Sequence, residues 1–364
     1  MHLVIDAVAV GPGSSAIVVG GVLRAWHATW PDDRLTVLSA PGGPAFDVPE
    51  GVAVEVLDGP PLGGLSGLWR RSFGVRRAAR SLRPDAVLSG VPASGLLGTG
   101  CARGLILYDL RHELRPEQFS RATRLARNIS WRWSMSHVDG IYTISERTLD
   151  DLRKLHPRLA RRGRAAVLGS DHALSWRAEA SRAPYAIAFG HFANKNVTAV
   201  IEGWAVFAKD HPEWRLRLVG MGAADRASAT ALVERLGASG QVELMPWLDD
   251  DAFASCFAGA GLVVFPSDFE GFGLPAAEAL RLGIPVVVSA DPALLEVTGG
   301  HAAVAQSTSA GDLRAAMEQA LAMTLEQLDA GRRHADGYTW AGTARTIRES
   351  LLERSRQIAA GTAR

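Results

Sequence analysis

The sequence has few cysteines and no long apolar run. Its 364 residues include only Cys101 and Cys256, which have no paired metal-ligand spacing. This scarcity argues against a disulfide-stapled secreted domain or a zinc module and indicates a reducing compartment. The N-terminus lacks the basic and apolar regions of a signal peptide, and no apolar stretch approaches the length that spans a membrane. We therefore expect a cytoplasmic protein, with peripheral placement at the inner membrane face as an open alternative.

Length and charge set the next limits. A chain of 364 residues is long for one core, so two domains are expected. The net charge is only +1, but residues 1–180 hold 23 Lys/Arg against 17 Asp/Glu. By subtraction from the totals of 39 and 38, the remainder holds 16 against 21. A basic first half suggests an anionic partner or surface there, and nothing in the sequence indicates nucleic acid.

The most informative stretch is a strand, a glycine-rich turn, a helix and a second strand. Gly261–Phe265 is an apolar run that predicts a buried strand, and Ala276–Leu282 predicts a helix. Pro275 suits the first helical turn and Gly283 suits the C-terminal cap. Residues 284–289 then begin the next strand. In such a unit the turn lies at the carboxyl end of a parallel strand, where open α/β sheets bind ligands.

The residue types in this turn indicate a nucleotide carrying further hydroxyl groups. Gly271 and Gly273 allow close approach of the backbone, and the amides of Gly273 and Leu274 would face a phosphate at the helix N-terminus. Glu278 could accept hydrogen bonds from two ribose hydroxyls, and Glu270 could reach another part of the same ligand. The alternative is that Glu278 only compensates the helix dipole and that the glycines only permit the backbone conformations of a turn.

Glu270 and Glu278, with Gly-Phe-Gly-Leu-Pro between them, resemble the signature of the family-4 retaining glycosyltransferases, of glycosyltransferase group 1 type. The resemblance implies an α/β protein of GT-B architecture, with two Rossmann-like domains facing across a cleft. We expect an acceptor-binding domain over residues 1–177, a donor-binding domain over 184–337, and a C-terminal helix over 338–364 that crosses back to the first domain. The resemblance is strong over about residues 185–305 and faint over 1–150.

The resemblance also assigns donor-binding residues elsewhere in the second domain. It places a lysine at the end of the loop after its first strand, and Lys195 matches. The family's arginine near the start of that loop is absent, and His191 stands nearby. Lys195 and His191 would then face the donor diphosphate, unless Lys195 is simply a solvated residue. The other implied donor-binding positions are Gly190, Gly220, Trp247 and Phe272.

The acceptor side carries less signal. A strand is predicted over His2–Val10, then a glycine loop, then a helix over Ala16–Thr29 capped by a serine. The loop fails as a dinucleotide fingerprint, because the third glycine and the later acidic residue are missing. The resemblance gives its Gly11, Gly13 and Ser14 a role at the cleft.

A second acceptor-side group follows the strand predicted over Gly104–Tyr108. The resemblance places a histidine followed by an aspartate at such a strand end. In this sequence Tyr108 takes the first position, and His112 comes four residues later. Asp109 or His112 could supply the acceptor-side polar group, and the choice between them is open.

Two other patterns have competing interpretations. Asp249-Asp250-Asp251 precedes a predicted helix, so capping and dipole compensation are favoured over a metal site, and no metal is expected. Residues 68–80 form a basic helix with interleaved apolar residues. Its apolar stripe could cover the sheet, or the helix could meet anionic lipid headgroups.

We therefore predict a retaining glycosyltransferase that moves a sugar from a UDP- or GDP-sugar to a hydroxyl acceptor, without metal or other cofactor. The acceptor would be a saccharide, a lipid-linked group or a small molecule, in the synthesis of cell-surface polysaccharide, glycolipid or another glycoconjugate. The alternatives are a catalytically silent nucleotide-sugar-binding protein and an epimerase or phosphorylase on the same fold.

Overall fold

The chain folds into two compact units. The structure, a computed structural model, describes residues 1–57, 64–93, 97–177, 183–191 and 193–362. The first unit contains Met1–Gly169 together with Thr339–Arg364, and the second contains Ser170–Tyr338. Residues 178–182, between the two predicted domains, lie outside the described part of the chain.

A parallel sheet of seven strands organises the first unit. Its strands are β1 His2–Asp6, β2 Arg34–Ser39, β3 Ala53–Val56, β4 Ala86–Ser89, β5 Ala102–Leu107, β6 Gly140–Thr143 and β7 Gly163–Ala165. They are arranged in the order β3-β2-β1-β4-β5-β6-β7, with every neighbouring pair parallel. The central strands β1, β4 and β5 are buried along nearly their whole length, as expected for a sheet covered on both faces. The described residues of the same stretch of chain form five α-helices: α1 Ser14–Thr29, α2 Gly64–Leu82, α3 Arg111–Leu114, α4 Arg121–Ser136 and α5 Glu146–Leu155.

Two local expectations for the first unit are wrong. Strand β1 ends at Asp6 rather than Val10, because the Val8 amide bonds to the Asp6 carboxylate and the Val10 amide bonds to the Ala7 carbonyl, which forms a turn. Helix α1 has no serine cap. Its N-cap is Gly13, and the Ser15 hydroxyl donates to the Gly11 carbonyl instead.

A second parallel sheet, of six strands, organises the second unit. Its strands are β8 Ala183–Phe189, β9 Arg215–Val219, β10 Val242–Leu244, β11 Ala260–Phe265, β12 Val286–Ser289 and β13 Ala303–Ala305. They are arranged in the order β10-β9-β8-β11-β12-β13, again all parallel. The helices between and after them are α6 Val197–Phe207, α7 Ala223–Arg235, α8 Asp250–Ala258, α9 Leu274–Leu282, α10 Pro292–Thr298, α11 Ala310–Leu321 and α12 Leu325–Ala335.

Several predicted helix ends in this unit are confirmed. Helix α9 has Pro275 in its first turn and ends at Gly283, which adopts the left-handed conformation expected of a C-cap. Helix α8 is capped by Asp249, whose carboxylate accepts the Ala252 amide at 2.8 Å. Asp250 and Asp251 lie in its first turn, so the acidic run has the capping position that the sequence favours.

The last helix, α13 Trp340–Thr362, packs against the first unit. It buries one apolar side that includes Trp340, Ile347 and Leu351. The Trp340 ring occupies the space beside Gly21 of α1, where an added Cβ would lie 2.5 Å from the ring. Among the described residues, no helix combines the length and the apolar composition needed to cross a membrane.

Candidate functional site

The candidate site lies where the order of strands reverses in the second sheet. From β8 the chain builds outward through β9 and β10, and it then returns to place β11 on the other side of β8. The loops that follow β8 and β11 therefore leave the same edge of the sheet in different directions, which opens a crevice between them. The loop after β8 carries Lys195, and the loop after β11 carries Glu270.

Lys195 and Glu270 form an ion pair between these two loops. The Lys195 Nζ lies 2.6 Å from Glu270 Oε1, and the two side chains are only 8% and 15% exposed. The ammonium also lies over the ring of Phe265, the last residue of β11, at 4.3 Å from the ring centroid, which adds a cation–π contact. Because water is largely excluded, the pair holds one positive and one negative group in fixed positions at the crevice.

Asn194 fixes the geometry of this pair. It is buried, and its Nδ2 donates to Ser267 Oγ at 2.9 Å, to the Phe269 carbonyl at 2.9 Å and to Glu270 Oε1 at 3.1 Å. The Ser267 hydroxyl in turn donates to the Asn194 carbonyl at 2.8 Å. Sequence reasoning missed both residues. The position of Asn194 next to Lys195 is the only signal that could have identified it.

His191 lies beside the ion pair as a neutral imidazole. Burial and the neighbouring Lys195 cation together lower its pKa to about 4, and Glu270 opposes both effects. The ring meets the largely exposed Trp247 edge to face, with 5.5 Å between centroids. Gly220 has a φ of +79°, and an added Cβ there would lie 3.3 Å from His191 Nδ1. At neutral pH His191 can therefore offer a hydrogen bond to a ligand but no charge.

The glycines at the start of α9 are required by the backbone and by packing. Gly273 is the N-cap of α9 with a φ of +101°, and an added Cβ would lie 2.5 Å from Leu294 Cδ2. The Phe272 side chain is buried and meets Tyr338 edge to face at 5.7 Å. Phe272 therefore anchors the loop through its ring, which leaves the backbone of Gly271–Leu274 to define the helix N-terminus.

Glu278 is a buried carboxylate one turn into α9. Its side chain is 4% exposed, and its Oε1 lies 3.1 Å from Nε2 of His172. His172 meets the Trp176 ring edge to face at 5.4 Å. Sequence reasoning missed His172, because it lies 106 residues before Glu278 and has no local motif.

Gly190 begins the loop after β8 and is fixed by close packing. An added Cβ would lie 2.3 Å from Met221 Cγ, and the Gly190 amide bonds to the Val219 carbonyl at 2.9 Å. The second unit thus brings together Lys195, His191 and Glu270, with Gly190 and Gly220 flanking them.

In the first unit, the predicted glycine loop follows β1 at the point where the order of that sheet reverses. Gly13 has a φ of +96°, which favours glycine, and an added Cβ at Gly11 or Gly13 would have no atom within 4 Å. Ser14 is the first residue of α1. The loop therefore has open space beside it at a sheet edge suited to ligands.

The two acceptor-side candidates differ in accessibility. His112 is fully buried against Trp131, with 4.6 Å between ring centroids, and burial lowers its pKa. Asp109 is half-buried at the end of β5, and its carboxylate accepts the Arg111 amide at 2.9 Å. The Tyr108 hydroxyl donates to the Gly90 carbonyl at 2.7 Å, so this side chain ties β5 to the end of β4. Asp109 is thus the candidate that a ligand could reach.

Comparisons with known proteins find a family model that matches the second unit and several relatives that match parts of the chain. Residues 177–335 match the family model described as glycosyl transferases group 1. A mannosylfructose-phosphate synthase of Agrobacterium fabrum is 30% identical over 176 residues, which is 44% of this chain and 38% of that protein. An O-antigen chain mannosyltransferase B of Escherichia coli is 37% identical over 90 residues, 25% of this chain and 24% of that protein. The matched segments thus span about a quarter to two fifths of these relatives.

The similarity to solved structures covers nearly the whole chain. The crystal structure of the Anabaena protein HepE in complex with UDP and glucose has a TM-score of 0.74. The alignment covers 97% of this chain and all of that one, at 17% sequence identity. Together with the two parallel sheets and their flanking helices, this likeness confirms the predicted α/β fold of GT-B type with two Rossmann-like units.

Proposed function

We propose that this chain is a retaining glycosyltransferase that uses a nucleoside-diphosphate sugar, and the match of residues 177–335 to the family model of glycosyl transferases group 1 supports this. The observation that carries the proposal is the Lys195–Glu270 pair at the reversal point of the second sheet, next to the N-terminus of α9. One cation, one helix N-terminus and two buried carboxylates suit a ligand that combines a diphosphate with two sugar rings.

The diphosphate binds between Lys195 and the N-terminus of α9. Lys195 supplies a full positive charge, and the helix supplies partial positive charge from its first amides. His191 adds a hydrogen bond without a charge, since its pKa lies far below neutrality. These groups stabilise the negative charge that develops on the leaving diphosphate, and we propose that no metal ion is needed for this.

The carboxylates hold the two sugar rings. Glu278 accepts hydrogen bonds from the ribose hydroxyls, and Glu270 accepts them from the transferred sugar. Because Asn194 and Lys195 already fix Glu270, the donor ring is oriented with little reorganisation of the protein.

The transfer step then takes place on one face of the donor sugar. The bond between the anomeric carbon and the diphosphate oxygen breaks, and the acceptor hydroxyl oxygen forms the new bond from the same side. The hydroxyl proton passes to the leaving phosphate oxygen, so the configuration at the anomeric carbon is retained. Asp109 of the first unit is proposed to bind the acceptor through hydrogen bonds.

We propose a UDP- or GDP-sugar as the donor. One curated relative is named a mannosyltransferase, and the structural relative was solved with UDP and glucose. The proposed acceptor is a hydroxyl of a saccharide, a lipid-linked group or a small molecule, in cytoplasmic glycoconjugate synthesis. Gly11, Gly13 and Ser14 are proposed to line the acceptor side, where an added Cβ at either glycine would meet open space.

A panel of nucleotide sugars tests this proposal. Melting temperature is measured with UDP-, GDP- and ADP-sugars, with and without a chelator, and the best donor is then incubated with candidate acceptors. We expect one donor to raise the melting temperature despite the chelator. The same shift should shrink in Glu278→Gln but not in Glu234→Gln, which changes an exposed carboxylate on α7.

The reaction products separate the competing functions. Anomeric proton coupling constants in the glycoside product report retention. A donor that binds but is never consumed would indicate the silent binding protein, and an epimerised donor or a released sugar phosphate would indicate the epimerase or phosphorylase. Stabilisation by no nucleotide, or only with metal, would contradict the proposed role of the Glu270–Glu278 loop.

A further inference from the structure

Helix α4 of the first unit presents large apolar side chains to solvent. Leu125, Ile129 and Trp133 are 62%, 64% and 48% exposed. Their spacing of four residues places them on one face of the helix, and we call these three residues the α4 stripe. A surface helix usually turns such a stripe toward the core, so its outward position needs a physical explanation.

The orientation of α4 is fixed by its other face. Met135 is fully buried in the core formed with β5, β6 and α5. Trp131 packs on the buried ring of His112, and the Arg127 guanidinium lies over the Trp131 ring at 5.3 Å. Because these contacts hold the opposite face, the α4 stripe cannot turn inward without breaking them.

Cationic side chains lie beside the α4 stripe and beyond its C-terminal end. Arg121 and Arg132 are exposed on the same side of the helix, and the sequence of α4 contains no acidic residue. Beyond its C-terminal end, Arg162 donates to the carbonyls of Ser136 and Val138 at 2.8 and 3.1 Å. Trp133 stacks on His137 with 4.3 Å between ring centroids. An exposed apolar stripe with neighbouring arginines complements a partner that has an apolar interior beneath an anionic outer layer.

We propose that α4 seats the first unit on a lipid bilayer that contains anionic headgroups. The helix lies in the plane of the interface, with Leu125 and Ile129 among the upper acyl chains and Trp133 at the headgroup level. Arg121 and Arg132 pair with lipid phosphates. This surface shares no residue with the proposed donor site and does not depend on the proposed transferase activity.

The structure favours α4 over the basic helix that the sequence suggests for this role. In α2 the Arg71 guanidinium is buried and donates to Asp6 Oδ2 at 2.9 Å and to Ser89 Oγ at 2.6 Å. Val75 and Ala78 of the same helix pack on the sheet. Part of the charge and of the apolar surface of α2 is therefore buried inside the unit, whereas the three side chains of the α4 stripe remain largely exposed.

Vesicle flotation with the full chain tests the proposal. Vesicles of phosphatidylcholine alone are compared with vesicles in which one third of the lipid is phosphatidylglycerol, at low salt. We expect flotation only with the anionic vesicles. The triple variant Leu125→Ser/Ile129→Ser/Trp133→Ser should reduce the bound fraction roughly tenfold, and Arg121→Gln/Arg132→Gln should reduce it several-fold and weaken its salt dependence. Leu325→Ser, which changes an 81% exposed leucine on α12, is the matched control and should bind like the wild type.

Two further measurements make the result decisive. Circular dichroism melts establish that the variants are folded, as expected for changes at exposed positions. Brominated lipid should quench more tryptophan fluorescence in the wild type than in Trp133→Phe. Failure of the wild type to float, or flotation of the folded triple variant at the wild-type level, would overturn the proposal. Sedimentation that shows a dimer abolished by the triple variant, without lipid binding, would assign the α4 stripe to contact between copies of the chain.

Discussion

At the level of single residues, Lys195 allows the clearest test of the proposed function. The chain contains only three lysines, so few other lysines could take over its role. Its ammonium balances Glu270 and is proposed to face the leaving diphosphate. Lys195→Ala should lower kcat/KM by about 10²–10³, since a preorganised charge at the leaving group is removed and Glu270 loses its ion-pair partner. Steady-state kinetics with the identified donor measure the effect.

The matched control for this change is Lys209→Ala. Lys209 lies just beyond α6 of the same unit, and its side chain is exposed. Its loss should leave kcat/KM within about twofold, because exposed charges contribute little. Equal losses in the two variants would argue against a specific role for Lys195.

His191 should make the folded state sensitive to acid. Its folded-state pKa of about 4 lies below the ordinary value of 6.5, so between these values the unfolded chain binds a proton that the folded chain does not. Its contribution to stability is therefore complete above pH 6.5 and is lost as the pH falls toward 4. His191→Gln should unfold at a urea midpoint that falls less than that of the wild type between pH 7 and pH 4.5. Parallel curves for the two proteins would show that His191 titrates normally.

At the level of single elements, the sequence predicts best where the signal is local. The turn from Pro266 to Gly273 and helix α9 follow from glycines, a proline and an apolar run that lie next to one another. The same local signals misplace the end of β1, because Val8 and Val10 are apolar and buried but belong to a turn. A pattern of apolar residues indicates which positions are buried. It does not show whether a buried residue belongs to a strand or to the turn that follows the strand.

Contacts between distant elements lie beyond such reasoning. Lys195 and Glu270 are 75 residues apart, and β8 and β11 bring them together by pairing side by side. From the sequence, both residues are assigned to one donor ligand, but their ion pair is not predicted. The His172–Glu278 contact has neither a motif nor a resemblance behind it, so only the folded chain reveals it.

The packing of α13 on α1 gives a prediction for these elements. An added Cβ at Gly21 would lie 2.5 Å from the Trp340 ring, so Gly21→Ala should lower the free energy of unfolding by roughly 1–3 kcal/mol through overpacking. Gly311→Ala changes another helical glycine, in α11, where no atom lies within 4 Å. It should be neutral or stabilising by up to about 1 kcal/mol, because alanine favours the helix. Urea unfolding compares the two variants, and destabilisation by Gly311→Ala alone would contradict this interpretation.

At the level of the whole molecule, the chain leaves the first unit and returns to it. Arg348 of α13 donates to Asp33 at 2.6 Å, and Asp33 also accepts from the N-terminal amine and from Trp26. Burial opposes the charge on Asp33, but the hydrogen bonds from Arg348, the N-terminal amine and Trp26 lower its pKa to about 2. The two ends of the chain are therefore joined within one unit. Local sequence patterns do not report this, because the two partners lie 315 residues apart.

This organisation predicts different fates for two fragments. A fragment of residues 170–338 contains the whole core of the second unit, including Trp204, Phe207 and Met317, and should unfold cooperatively. It should also retain binding of the donor nucleotide, because Lys195, Glu270 and Glu278 all lie within it. A fragment of residues 1–169 lacks α13 and uncovers the apolar surface that Ile347 and Leu351 bury, so it should aggregate or bind a hydrophobic dye.

Joining residues 339–364 to the C-terminus of the 1–169 fragment through a glycine-serine linker supplies the control. The restored α13 should return cooperative unfolding, because its contacts with α1 and β5 lie within that unit. Denaturant unfolding and dye binding are measured on all three proteins. Cooperative folding of residues 1–169 without α13 would mean that the helix is an accessory rather than part of the core. In that case the loss of unfolding free energy on removal of α13 should come from the Asp33–Arg348 ion pair alone. Arg348→Ala in the full chain should then lower the free energy of unfolding by the same amount, roughly 2 kcal/mol.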